Sequence, residues 1–137
     1  MKTLLATTTN FRAEDPNDPR FFIFATLGSG VLRFEVIAQL STGERGTVTG
    51  KGLFGAMMAH FGGRVRSIEA NWSRASGLTT NLDQLNRAMI AGLGENDAAS
   101  LTWTGLRASE FGYDKIAVND LSGFHGDYEI ARVEFGR

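Results

Sequence analysis

Residues 64–105 begin with the run RVRSIEANW (64–72) and end with the tetrad TWTG (102–105). In the opening run, Ile68, Ala70 and Trp72 alternate with polar residues, which is the period-two pattern of a β-strand with one buried face. Two segments of helical periodicity follow. This stretch therefore predicts a strand and two helices, and it holds the densest group of charged, amide and aromatic side chains in the chain.

The two helices are predicted from apolar residues at helical spacing. Leu78, Leu82, Leu85 and Met89 form the stripe of the first, with Thr80 as its N-cap. The second is expected to begin at Asn96 and to run to Gly112 as one helix, because its apolar and small residues keep helical spacing: Leu101, Thr104, Ala108 and Phe111.

The residues before this stretch predict a hairpin and a helix. An apolar run, FFIFATL (21–27), and an alternating run (31–40) flank Gly28-Ser29-Gly30, which can supply the positive φ angles of a tight turn. Residues 47–49 are expected to add a short third strand, and residues 53–61 a helix that Gly62 and Gly63 end. Residues 11–19 contain both prolines and are predicted to be loop.

Residues 115–118 and 128–135 predict a closing hairpin with a turn-rich connection at 119–127. The predicted order is ββ(β)α-β-αα-ββ. We therefore expect a single α+β domain over 1–137, partly loop in 1–20, with a mainly antiparallel sheet and about three helices packed on one face.

Composition narrows the classes of function. With 14 basic and 15 acidic residues the net charge is −1, which argues against a dedicated duplex-binding domain. There is no cysteine, and the two histidines, His60 and His125, are far apart, so no metal site and no cofactor are expected. No apolar run approaches the ~20 residues of a membrane span. We expect a soluble protein with no signal peptide and no membrane partner.

The candidate site lies on the polar side of residues 64–105. Arg66 and Glu69 are the proposed catalytic pair, because guanidinium groups bind phosphate or carboxylate and a carboxylate can accept a hydroxyl proton. Six further residues are expected to position substrate: Asn71, Asn81, Asn86, Trp103, Thr104 and Arg107. The alternative is structural: a surface ion pair with capping amides, and tryptophans that pack strand against helix rather than stack on a base.

The pattern over 62–135 resembles the C-terminal toxin modules of bacterial polymorphic toxins of the Rhs and filamentous-haemagglutinin kind. The resemblance is carried by the helix NLDQLN (81–86), the tetrad TWTG (102–105) and the closing hairpin. It departs at Leu106, where lysine is the more frequent residue, and residues before Gly50 lie outside it. Such modules include nucleases and nucleotide-modifying enzymes. The resemblance implies export by a specialised secretion system, action in the cytoplasm and a cognate immunity protein as partner.

Two hypotheses follow. The first is an effector-type, antibacterial toxin module that acts without metal on RNA or a nucleotide, with Arg66 holding the anion and Glu69 as general base. The second is a non-enzymatic binding or assembly module, immunity-like or adaptor-like, that takes a partner strand on an exposed sheet edge at 21–27.

Overall fold

Seven β-strands and four α-helices make up the chain, and the computed structural model describes all residues 1–137. They divide between two units, Met1–Arg66 and Ser67–Arg137. The mixed α+β class predicted from the sequence is confirmed. The assignment of one domain to the whole chain stays a prediction.

The first unit, Met1–Arg66, is an antiparallel sheet in the order β1-β2-β3-β4 followed by one helix. Its elements are β1 (Lys2–Ala6), β2 (Asn10–Asp15), β3 (Asp18–Gly28), β4 (Val31–Ile37), α1 (Gly50–Phe61) and a 3-10 turn (Gly62–Arg64). The predicted hairpin is confirmed as β3–β4. Ser29 and Gly30 have φ angles of 52° and 78°, as a two-residue hairpin turn requires.

The core of this unit lies where α1 packs on the sheet. Leu53, Phe54 and Met57 of the helix are fully buried, and the Phe54 ring meets Phe34 of β4 edge to face at 5.3 Å between centroids. Thr49 caps the helix, because its Oγ1 accepts a hydrogen bond of 2.9 Å from the Gly52 N–H.

Two predictions for this unit are wrong. The loop expected at 11–19 is confined to 16–17. Residues 11–15 belong to strand β2, in which Phe11 and Ala13 alternate with Arg12, and β3 begins at Asp18 with Pro19 as its second residue. Residues 47–49 form no strand. Their backbone is held instead by Asp15, whose Oδ2 accepts from the N–H groups of Thr47 and Val48.

The second unit, Ser67–Arg137, is a three-stranded antiparallel sheet with β7 between β5 and β6. Its elements are β5 (Ser67–Ser73), a 3-10 turn (Arg74–Ser76), α2 (Thr80–Ile90), α3 (Glu95–Ser100), α4 (Trp103–Glu110), β6 (Lys115–Phe124) and β7 (Asp127–Gly136). Helix α2 packs against β5 and β7, and α3 packs against β6.

The helices of this unit cover one face of its sheet. Ile68, Ala70 and Trp72 of β5 are buried, and their register partners on β7 are Phe135, Val133 and Ala131, which are also buried. The intervening residues point to the opposite face. The predicted alternation of residues 67–72 is therefore confirmed, and the face that carries Glu69 and Asn71 is the open one.

Three details of this unit differ from the prediction. The helix expected from Asn96 to Gly112 is two helices, because Thr102 begins a new one: its Oγ1 accepts from the Gly105 N–H at 3.0 Å. The N-cap of α2 is Thr79 rather than Thr80. The closing hairpin is longer than expected, since β6 continues to Phe124 through two register shifts.

None of the helices combines the length and the apolar character that crossing a membrane requires.

Candidate functional site

The open face of β5, β7 and β6 brings charged side chains into two neighbouring rows. In the first row Glu69 lies directly opposite Glu134, and in the second Asn71 lies opposite Arg132. Asp120 of β6 lies opposite Arg132 in the register on the other side of β7. Side chains directly opposite on antiparallel strands are about 5 Å apart at Cβ. Three carboxylates, an amide and a guanidinium therefore share one small area.

Charged residues of both kinds face each other across the strands of this area. Like charges directly opposite each other destabilise a sheet, and Glu69 faces Glu134. The Asn71 amide donates to Glu69 Oε1 at 3.3 Å. Arg132 is exposed and makes no hydrogen bond or ion pair within the protein. The opposition of Glu69 and Glu134 is a local conflict of the kind that is found at functional sites, whereas Asp120 opposite Arg132 is a favourable arrangement.

Arg66, the predicted anion holder, is committed within the first unit. Its guanidinium donates to the Ser29 carbonyl, and its backbone N–H donates to the Gly30 carbonyl at 2.8 Å. The side chain also lies against Gly30, where an added Cβ would overlap Arg66 Nε. Arg66 thus fastens the β3–β4 turn.

Asn81 and Thr104, predicted to position substrate, meet at the start of α4. Asn81 Oδ1 accepts from the Thr104 N–H at 2.9 Å, and the neighbouring Gln84 Oε1 accepts from the Trp103 N–H at 2.7 Å. These side chains satisfy backbone donors that a helix start leaves without partners. Thr104 itself is only 1% exposed, so its hydroxyl is not accessible to a ligand.

Asn86, another predicted positioner, joins α2 to β7. Its amide group donates to the Tyr128 carbonyl at 3.0 Å, and its Oδ1 accepts from the Tyr128 N–H at 2.8 Å. The residue is 6% exposed. Both ends of the amide therefore have backbone partners, which is a structural role.

Trp103 and Arg107 form a cluster on α4. Arg107 Cζ lies 5.7 Å from the Trp103 ring centroid, and its Nη2 pairs with Glu110 Oε1 at 2.7 Å. The Arg107 Nε is buried without a hydrogen-bond partner. The cluster is partly exposed, but it is built from α4 alone and does not include the residues of the open face.

Of the eight predicted site residues, the open face of the second unit brings together Glu69 and Asn71. Arg132 and Glu134, which complete this group, were missed. The signal for them is the alternation within 128–135, where Arg132 and Glu134 lie between the apolar residues Ala131, Val133 and Phe135. Placing them beside Glu69 needs the β5–β7 register, which links residues more than sixty positions apart.

No group of three or more histidine, aspartate or glutamate side chains has the arrangement of a metal site. Comparison with protein-family models, with curated proteins and with solved structures gives no match.

Proposed function

We propose that Ser67–Arg137 is an effector-type toxin module that cleaves RNA through side chains on its open sheet face. The observation that carries this proposal is the pairing of Glu69 with Glu134 beside Asn71 and Arg132. Arg132 takes the role that the sequence suggested for Arg66, because its guanidinium is unpaired whereas that of Arg66 is committed to Ser29.

The four groups match the needs of RNA phosphodiester cleavage. Arg132 binds the non-bridging phosphate oxygens and stabilises the charge that develops on them. Glu69, oriented by Asn71, accepts the proton of the 2′-hydroxyl as O2′ attacks phosphorus. The P–O5′ bond breaks, and a water molecule held by Glu134 gives a proton to O5′. The products are a 2′,3′-cyclic phosphate and a free 5′-hydroxyl.

The likeness to polymorphic-toxin modules supports the same proposal. It spans 62–135, which is close to the second unit, Ser67–Arg137, so it falls on one structural unit rather than on fragments of two. A toxin of this class is expected to have a cognate immunity protein, and a partner that covers the open face would block the proposed site.

Expression in bacteria tests the toxin proposal. We expect the parent chain to arrest growth and Glu69→Ala to relieve the arrest. Glu35→Ala is the matched control, because Glu35 is an exposed glutamate on strand β4 of the other unit and should leave toxicity unchanged. Growth that is equal for all three, with no toxicity from any, would overturn the proposal.

A second candidate function, a binding or assembly module, is favoured by strand β1. The edge expected at 21–27 is not exposed, because β3 is paired with β2 on one side and with β4 on the other. The edge of this unit is β1, which is exposed along its whole length, with Leu4 and Leu5 46% and 40% exposed. An incoming strand could pair with it.

Self-association through β1 is the direct test of this candidate. A register shift lies between Thr3 and Leu5 in β1, and such bulges commonly protect an edge against pairing. Sedimentation of the parent and of Leu5→Lys shows whether the chain associates through β1. If the parent sediments as a dimer and Leu5→Lys as a monomer, assembly through β1 is supported. If both proteins sediment as monomers, assembly through β1 is contradicted.

A further inference from the structure

A recess in Ser67–Arg137 is lined by residues other than the four of the open face. It is an open cleft of about 340 Å³, a size near the lower end of small-molecule sites. The helix α2, the 3-10 turn and the β6–β7 turn supply its walls, with the lining side chains Arg74, Asp83, Arg87, Ile90 and Asp127 and the backbone of Gly126.

The walls of this cleft are held in fixed positions. Asn86, which also lines it, is bound at both ends of its amide to the backbone of Tyr128. Gly126 approaches Ile90 so closely that an added Cβ would overlap Ile90 Cγ1, and its φ of 78° favours glycine. The turn and the last part of α2 are therefore in contact, and the cleft is preformed.

Two arginines and two aspartates line the cleft, and only Arg74 and Asp127 form an ion pair. Arg74 Nη2 donates to Asp127 Oδ1 at 2.9 Å, and this bond, the Asp127 charge and, to a smaller extent, the charges of Glu129 and Asp83 raise the pKa of Arg74. Asp83 and Arg87, one helical turn apart on α2, make no side-chain hydrogen bond or ion pair within the protein. The cleft thus offers one cation, Arg87, and one anion, Asp83, that are engaged in no hydrogen bond or close ion pair and lie about 5–6 Å apart at Cβ.

We propose that this cleft binds a small zwitterion of the α-amino-acid class. Arg87 pairs with its carboxylate, Asp83 pairs with its ammonium group, and an aliphatic side chain packs on Ile90, which is 69% exposed. A simple anion such as phosphate fits less well, because two aspartates line the same cleft as the two arginines. This binding site is separate from the proposed cleavage of RNA.

Amide NMR of the full chain with L-leucine as probe tests the proposal. We expect saturable shifts at Gly126 and at Ile90, and about tenfold weaker binding of N-acetyl-leucine and of leucinamide, each of which lacks one charge. The variants Arg87→Gln and Asp83→Asn should each weaken leucine binding about tenfold. Asp114→Asn, an exposed aspartate outside the cleft, should leave it unchanged.

Three results would overturn the inference. These are leucine giving no saturable shift at the cleft, inorganic phosphate giving the same shifts with equal or higher affinity, and leucine binding that persists unchanged in Asp83→Asn and Arg87→Gln. Because both variants replace exposed side chains, unchanged amide shifts elsewhere in the spectrum will show that the fold is retained.

Discussion

Asn86 and Tyr128 are joined by two hydrogen bonds, one in each direction, between the side-chain amide of the first and the backbone of the second. The pairing closes helix α2 onto strand β7 near the start of that strand. It also explains why a polar residue lies 6% exposed between Leu85 and Arg87 on a helix. Asn86 therefore links α2 to β7 and stabilises the fold.

Replacement of Asn86 with alanine should therefore destabilise the protein. The change leaves the Tyr128 N–H without its side-chain partner, while the Tyr128 C=O keeps only the 3.3 Å bond from Arg74 Nη2. We expect a loss of about 2 kcal/mol in the free energy of unfolding. Urea titration followed by circular dichroism measures it. Arg87→Gln, at the next position but exposed, should stay within about 0.5 kcal/mol of the parent. Equal stability of Asn86→Ala and the parent would show that the Asn86–Tyr128 hydrogen bonds do not stabilise the fold.

Asn81→Ala should weaken the start of helix α4. The Asn81 side chain is the acceptor for the Thr104 N–H, so its loss removes one capping bond. We expect a cost of about 1 kcal/mol, the usual size for a lost helix cap, with RNA cleavage unchanged once folding is complete. Chemical denaturation and a cleavage assay on the same preparation measure the two effects. If Asn81→Ala is as stable as the parent but inactive, Asn81 acts directly in substrate binding and the capping role is contradicted.

Stability should fall in acid because of Asp15. This side chain is 2% exposed and accepts from the N–H groups of Asn17 and Val48 and from both the N–H and the hydroxyl of Thr47. These bonds, that of Asn17 foremost, lower its pKa from 3.8 to about 2. A carboxyl with a lowered folded-state pKa stabilises the fold above pH 3.8 and loses this contribution as the pH falls toward 2.

Thermal unfolding between pH 6 and pH 2 tests this expectation. The parent should lose more of its unfolding midpoint temperature below about pH 4 than Asp15→Asn does, because the variant has no carboxyl to protonate there. Parallel curves for the two proteins would mean that Asp15 makes no contribution of its own.

Gly46→Ala should destabilise the first unit. A Cβ at this position would overlap Asp15 Oδ2 and lie 2.7 Å from Phe21 Cδ2, and neither neighbour is free to move. Asp15 is held by its hydrogen bonds, and Phe21 is 1% exposed. We expect a loss of about 1–3 kcal/mol. Gly28→Ala is the control, since nothing lies within 4 Å of its added Cβ and its backbone is not strained. Equal effects of the two changes would contradict the packing described for Gly46.

Local pattern predicted most of the elements in this chain. The alternation of residues 31–37 and the positive-φ turn at Ser29 and Gly30 suffice for the β3–β4 hairpin, and the stripe of Leu82, Leu85 and Met89 suffices for α2. The break at Thr102 was missed because the apolar spacing continues across it, whereas the hydroxyl that caps α4 marks a new start. Residues 11–15 were missed because nearby prolines outweighed a short alternation.

The candidate site was predictable only in part, and the reason is the range of the contacts. Glu69 and Asn71 stand out within a single strand. Their partners Glu134 and Arg132 come from the other end of the second unit, and a one-residue change of register would turn them to the covered face. Conversely, three structural residues were predicted as site residues because their backbone partners are distant in sequence. The pairs are Asn81 with Thr104, Asn86 with Tyr128, and Arg66 with Ser29.

Cleavage of single-stranded RNA by the purified chain in the presence of a chelator tests the central claim most directly. We expect products that end in a 2′,3′-cyclic phosphate, no cleavage of the matched 2′-deoxy strand, and a loss of about 100-fold or more in rate for Glu69→Gln and for Arg132→Gln. Glu35→Gln should cleave at the parent rate. An intact RNA strand after incubation with the folded parent, or equal rates for the parent, Glu69→Gln and Arg132→Gln, would contradict the assignment of this face as a ribonuclease site.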